Sequence, residues 1–168
     1  MNFISESNER IHREELVRMK HRRSIFEKSY KAEFKTLRDV YRARIPAYER
    51  DVLARLVCDI NLHDIFFSSF DMSGGRSDAV RRQFGSDAAF LYELYECARS
   101  AEGGFLLIFG GREEKINFYA GREYLSLTER KMPKLALDLE EHAYFYDYLF
   151  ERDGYIKTAL SGLNISKI

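Results

Sequence analysis

LALDLEEHAYFYDY, residues Leu135–Tyr148, is the stretch whose reading decides the fold. It opens as an alternating apolar strand and closes as an aromatic-rich helix, a switch from a period of two to a period of 3.6. Asp138 stands at the end of the strand, and His142 follows four residues later, one helical turn away. A carboxylate at a strand end and an imidazole one turn on can aim at one point, which is how a small metal ion is gripped.

Working outward, two more strands precede this one. Phe105–Phe109 is a short apolar run, Gly110 and Gly111 open a turn, and Lys115–Ala120 alternates apolar and polar residues. Arg112, Glu113 and Glu114 suit the exposed tip of that hairpin. Residues 121–133 read as a polar connection ending at Pro133. Downstream, a helix is expected from Glu141 to Phe150, an interruption at Arg152-Asp153-Gly154, and a last helix from Tyr155 to Leu163.

Upstream the texture is helical. Ser7–Arg44 holds no Pro or Gly, and Leu16, Met19, Phe26, Tyr30, Phe34, Leu37 and Tyr41 recur as one face of a long helix. Pro46 marks a break. A second helix starts near Ala47, with Leu53, Leu56, Val57, Ile60, His63 and Phe67 as its buried stripe. A loop over residues 72–77, MSGGRS, leads to a short helix Asp78–Phe84. Gly85 ends that helix, and Ser86 caps the next, Asp87–Ala101. The pattern predicts an α+β protein: a long α-helical hairpin over residues 1–72, and an α/β C-terminal lobe over 73–168 with a small three-stranded antiparallel sheet.

Composition bounds the function. The 168 residues are 45% hydrophobic and 32% charged, a globular rather than a disordered balance. No apolar run approaches a membrane span, and the first residues, MNFISESNERIHREE, lack the apolar core of a secretory signal. Cys58 and Cys97 fall inside helical patterns and read as reduced buried thiols, which implies an intracellular home, cytoplasmic or mitochondrial. Residues 1–50 carry 13 Lys and Arg against 8 Asp and Glu, a net of +5, balanced by a net of −5 over the remainder. Such a basic half can meet a polyanion, but interleaved acids favour the solvated face of a long helix.

His63 on the inward face of the second helix, Asp138 and His142 are three potential ligands that this layout brings toward one place. Two imidazoles and a carboxylate suit Fe or Mn. The block DLEEHAYFYDY, residues 138–148, resembles the D-V-W-E-H-A-Y-Y-x-D-Y signature of the iron/manganese superoxide dismutases. His63-Asp64-Ile65-Phe66-Phe67 resembles that family's N-H-x-x-F-W, and FGSDAAFLYELYECA at 84–98 its F-G-S-x-x-x-F-x-x-x-F. Gly104-Phe105, the run from Arg152 to Ile156, and Leu163-Asn164 fall in register with its Gly-Trp, R-x-x-Y-I and terminal V-N.

The resemblance implies one Fe or Mn ion per chain, held by His63, Asp138 and His142 with a fourth ligand from the first helix. Laying EELVRMKHRR over the family's first-helix motif puts Lys20 on that position. A slip of one residue makes it His21, and His12, near the start of the helix, is a poorer candidate. The resemblance further implies Tyr30 as the proton-donating gateway, Glu141 and Tyr144 at a homodimer interface, and superoxide as substrate. Departures accompany it: Asp59 stands where the family has Gln or His, Leu62 replaces the Asn before His63, Arg122 stands where manganese members have Gln, and the chain holds no Trp. Glu140 puts a charge beside the ligands, while Asp59 by itself reads as a surface or hairpin residue. Two functions are therefore expected: a divergent dismutase, or a structural subunit with eroded ligands, such as one facing RNA in a mitochondrial ribosome.

Overall fold

Ser5 accepts a hydrogen bond from the Asn8 amide and starts helix α1 (Glu6–Tyr30). The computed structural model describes residues 3–70, 76–111 and 114–168. Residues 72–75 of the expected loop, residues 112 and 113 of the hairpin tip, and the expected division between residues 72 and 73 lie outside the described residues.

The single helix expected over Ser7–Arg44 is two. Lys31 turns left-handed at φ 50°, and its amide and that of Ala32 both return to the Glu27 carbonyl. Helix α2 (Leu37–Arg42) then restarts from a capping box between Thr36 and Asp39. Lack of Pro and Gly removes two helix breakers but leaves a T-x-x-D start signal, which wins locally. Helix α3 (Ala47–Ser68) follows Pro46 and runs antiparallel to α1. Lys20 meets Asp64 at one end of the pair, and Tyr30 donates to Glu49 at the other.

Ser77 and Ser86 cap α4 (Asp78–Phe84) and α5 (Asp87–Ser100), with Gly85 between them at φ 80°. Strands β1 (Phe105–Gly111), β2 (Glu114–Gly121) and β3 (Leu135–Asp138) form an antiparallel sheet in the order β2-β1-β3. Central Phe105 faces Gly121 on one side and Asp138 on the other, so the sheet delivers Asp138 at the end of β3. Gly104, at φ 79°, is required just before it, because a Cβ there would run into the Gly121 carbonyl.

The polar connection over 121–133 contains a helix, α6 (Leu125–Arg130). Its Thr128 is buried, with Oγ1 3.0 Å from the Cys58 sulfur. Helix α7 (Glu141–Tyr148) ends two residues earlier than expected, at Leu149 with φ 48°. Arg152-Asp153-Gly154 does not interrupt a helix but opens α8 (Arg152–Ser161), and a short 3-10 turn, Ile165–Lys167, ends the chain. One buried cluster joins the helices to the sheet, and Phe66 at its centre touches the rings of Phe3, Phe67 and Phe70. Among the described residues no helix is long and apolar enough to cross a membrane.

Candidate metal centre

Four side chains from four elements converge between the helices and the sheet: His12 of α1, His63 of α3, Asp138 of β3 and His142 of α7. One potential ligand atom from each lies within 4.8 Å of all the others. Asp138 is fully buried, and its two oxygens are divided in use. Oδ1 accepts the Glu140 amide at 2.9 Å. Oδ2 has the Nε2 atoms of His12, His142 and His63 around it at 3.1, 3.1 and 3.3 Å. Tyr155 Oη donates to the Asp138 carbonyl at 2.7 Å and holds the strand end in place.

The imidazoles differ in detail. His63 Nδ1 lies 2.7 Å from the Asp59 carbonyl, which can only accept, so Nδ1 carries the proton and Nε2 presents a lone pair inward. His12 Nε2 makes a well-formed hydrogen bond to Asp138. The Nε2 atoms of His63 and His142 are buried and without a hydrogen-bond partner, so they aim beside the carboxylate oxygen rather than at it. Buried, unpaired polar atoms are costly, and a cation among them would satisfy both. Ligands bound at about 2.1 Å stand no more than about 4.2 Å apart across an ion, so a small contraction closes the cluster. Three imidazoles and one carboxylate are a donor set that Fe and Mn accept.

Electrostatics follow from burial and from Asp138. Burial opposes ionisation of Asp138, but the three imidazoles around Oδ2, His12 among them by a hydrogen bond, outweigh it and hold the carboxyl well below its usual range. Burial dominates at His12 and pushes it down. At His63 and His142 burial also pulls down, but Asp138 overcomes it and both are raised.

The sequence-expected residues are only partly brought together. His63, Asp138 and His142 converge. On the first helix it is His12 that joins them: His21 is exposed, and Lys20 is paired with Asp64 at 2.8 Å. The buried stripe of α1 is Asn8, His12, Leu16 and Met19, with steps of four, four and three. Extending the Leu16–Met19 stripe one step backward reaches His12, so the signal was present. Tyr30 is not at the centre. Eighteen residues beyond His12, about 27 Å along the helix at 1.5 Å per residue, its hydroxyl donates to Glu49. Glu141 is exposed, whereas Tyr144 is buried within the chain, stacked on Tyr155 at 5.2 Å.

Two neighbours differ from their sequence readings. Asp59 is not a surface residue: its carboxylate accepts from Tyr124 Oη at 2.7 Å, and burial pushes its pKa up. Glu140 spends its charge on other partners, accepting from Arg122 at 2.7 and 2.9 Å and from the Gly104 amide. A cavity of about 470 Å³ opens onto the centre, lined by Met19, Asp59, His63, Phe105, Tyr124 and His142 among others. The His142 side chain is 41% exposed, so solvent and small solutes reach this edge of the cluster.

Comparison with known proteins places this geometry in a lineage. The family described as iron/manganese superoxide dismutases, C-terminal domain, matches residues 72–168. A manganese superoxide dismutase of Haloarcula hispanica is 32% identical over 99 residues, which cover 54% of this chain and 68% of that one. An iron superoxide dismutase of Campylobacter coli is 28% identical over 96 residues, covering 55% of this chain and 44% of that one. One from Cupriavidus metallidurans is 24% identical over 110 residues, covering 61% and 56%. The chain spans about half the length of most of the curated relatives it matches.

Proposed function

This chain belongs to the iron/manganese superoxide dismutase family, and on that premise we propose that it holds one Fe or Mn ion and dismutates superoxide to dioxygen and hydrogen peroxide. The observation that carries the reading is the set of three Nε2 atoms within 3.3 Å of one buried carboxylate oxygen, two of them without a hydrogen bond. His12, His63, Asp138 and His142 would hold the ion. Bound there, it would supply one-electron chemistry, accepting an electron from one superoxide and returning it to the next.

The chain's own groups support that role. Glu140's amide and Tyr155's hydroxyl fix the Asp138 carboxylate and its strand, and the Asp59 carbonyl fixes the His63 tautomer. Each turnover consumes two protons for the peroxide product. Tyr124 Oη, on the cavity wall and hydrogen-bonded to the Asp59 carboxylate, takes the proton-handling role in this reading. It replaces Tyr30 in that part of the reading.

We place a homodimer contact on α7 and the turn after it. Glu141 is exposed there, and Tyr146, Leu149 and Phe150 are 63, 57 and 90% exposed, an apolar surface that a second copy would cover. Unpaired Cys58 and Cys97 fit a reducing compartment, cytoplasmic or mitochondrial. The RNA-facing scaffold reading draws less support. Arg13, Arg18, Lys20 and Arg23 are already committed to Glu9, Glu15, Asp64 and Glu27.

Metal analysis of the purified protein tests the proposal. About one Fe or Mn per chain is expected, with loss of both metal and superoxide consumption in His63→Ala. A wild-type protein without stoichiometric Fe or Mn after reconstitution would remove the enzyme reading.

A further inference from the structure

Two buried polar atoms near the centre have no hydrogen-bond partner and no part in the account above: His12 Nδ1 and Asn8 Oδ1. Both residues are fully buried and occupy one stripe of α1, one turn apart. Side chains at that spacing are neighbours, and a helical side chain leans back toward the preceding turn, which here is Asn8.

Asn8 is held so that its oxygen is the free end. Its Nδ2 donates to the Ala143 carbonyl at 3.0 Å and to Asp147 Oδ2 at 3.1 Å, using both hydrogens. Asp147 is itself anchored by the Ser5 amide at 2.7 Å. An amide flip would set the oxygen against two acceptors, so Oδ1 is confined to the remaining side. A cation bound at Nε2 leaves a neutral imidazole with its proton on Nδ1, which then needs an acceptor. Asn8 Oδ1 is a buried acceptor one helical turn away with no other partner.

Building on the metal-site reading, we propose that Asn8 is the positioning residue for His12. Its Oδ1 accepts the Nδ1 proton, directly or through one water, when a divalent ion occupies the centre. Asn8 thus favours the loaded state over the empty one. It also ties α1 to α7, the helix that carries His142, so two ligands share one clasp.

The test uses the full chain loaded with Mn for affinity and with diamagnetic Zn for NMR. Asn8→Ala is expected to weaken metal binding about 10–100-fold. In the Zn-loaded wild type the His12 Nδ1 proton should exchange slowly, and in Asn8→Ala it should be lost while the His63 Nδ1 proton persists. Asn8→Asp keeps an acceptor while giving up the donors to α7. It should retain the protected His12 proton and most of the affinity, with a less stable metal-free fold, and it reads the proposal even where Asn8→Ala fails to fold. A His12 Nδ1 proton equally protected in Asn8→Ala, or one lost in Asn8→Asp, overturns the role of Asn8 alone. A wild type that takes up neither ion overturns the metal-site reading along with it.

Discussion

The helical half before residue 71 and the α/β half after residue 75 contribute equally to the centre, although the family match covers only the second. The family match begins at residue 72 and carries Asp138 and His142. His12 and His63 come from the other side. Each half also brings an aspartate close to His63, and the two behave oppositely. Asp138 sits among three imidazoles and an amide, which hold it charged in a dry place. Asp59 has a single phenol, too little to offset burial, and its pKa rises. Donor count, more than depth, decides which acid ionises freely.

The largest expected effect removes the ring packed beneath the centre on its helical side. Phe66 of α3 is fully buried, with its ring 4.8 Å from His12 and 5.4 Å from Phe70. Phe66→Ala should cost about 3–5 kcal/mol in urea unfolding. Fluorescence and circular dichroism should still report one transition, because a single buried cluster joins both halves. Two separated transitions would show that the halves fold independently and that the shared centre does not couple them.

A smaller effect sharpens the contrast between the acids. Asp59→Asn keeps an acceptor for Tyr124 and removes a charge that burial disfavours. At pH 7 it should be neutral to stabilising, by up to about 1 kcal/mol after allowance for solvent screening at this half-buried position. The sign follows from the raised pKa. Whatever Asp59 contributes to stability is fully present below its unfolded value of about 3.9 and is lost as pH rises through the folded value. The gap between variant and wild type should therefore close on acidification. Asp138 has the opposite sign, contributing above the ordinary carboxylate range and losing it as pH falls. A gap that widens in acid would mean Asp59 is held charged after all.

Legibility in the sequence follows the same division. The change of period at Asp138 and Glu141 marked the β3–α7 junction, because alternation and helical spacing are both backbone-level signals. Gly85, Ser86 and Pro46 marked ends for equally local reasons. What escaped depended on contacts across the fold. The turn at Lys31 is sealed by the Glu27 carbonyl and by the Glu27 carboxylate on the Phe34 amide. Helix α6 is polar in sequence and shows itself only through Thr128 packed on Cys58. Nearness to the helix start counts against His12 in the sequence, yet the entry of α1 is buried against α7 through Asn8. Tyr124 and Asp59, 65 positions apart, carry no local signal of their pairing.

The smallest expected effect concerns Arg122 and Glu140, both from the half that the family match covers. Their side chains are 61% and 31% exposed, and ion pairs in such settings contribute little. Arg122→Ala should leave metal content unchanged and move the unfolding midpoint less than Asp59→Asn does. Arg122, ahead of the opposing effect of burial, holds the Glu140 carboxyl below its usual range. The stability Glu140 lends is present above its unfolded pKa of about 4.3 and lost as pH falls through the folded value. Without Arg122 that acid limb should flatten, because the small neutral-pH contribution is gone while stability in acid stays at the wild-type level. Loss of metal in Arg122→Ala would mean that Glu140, released from its partner, swings toward Asp138. The pair would then guard the centre, and the α/β half would contribute more to it than two ligands.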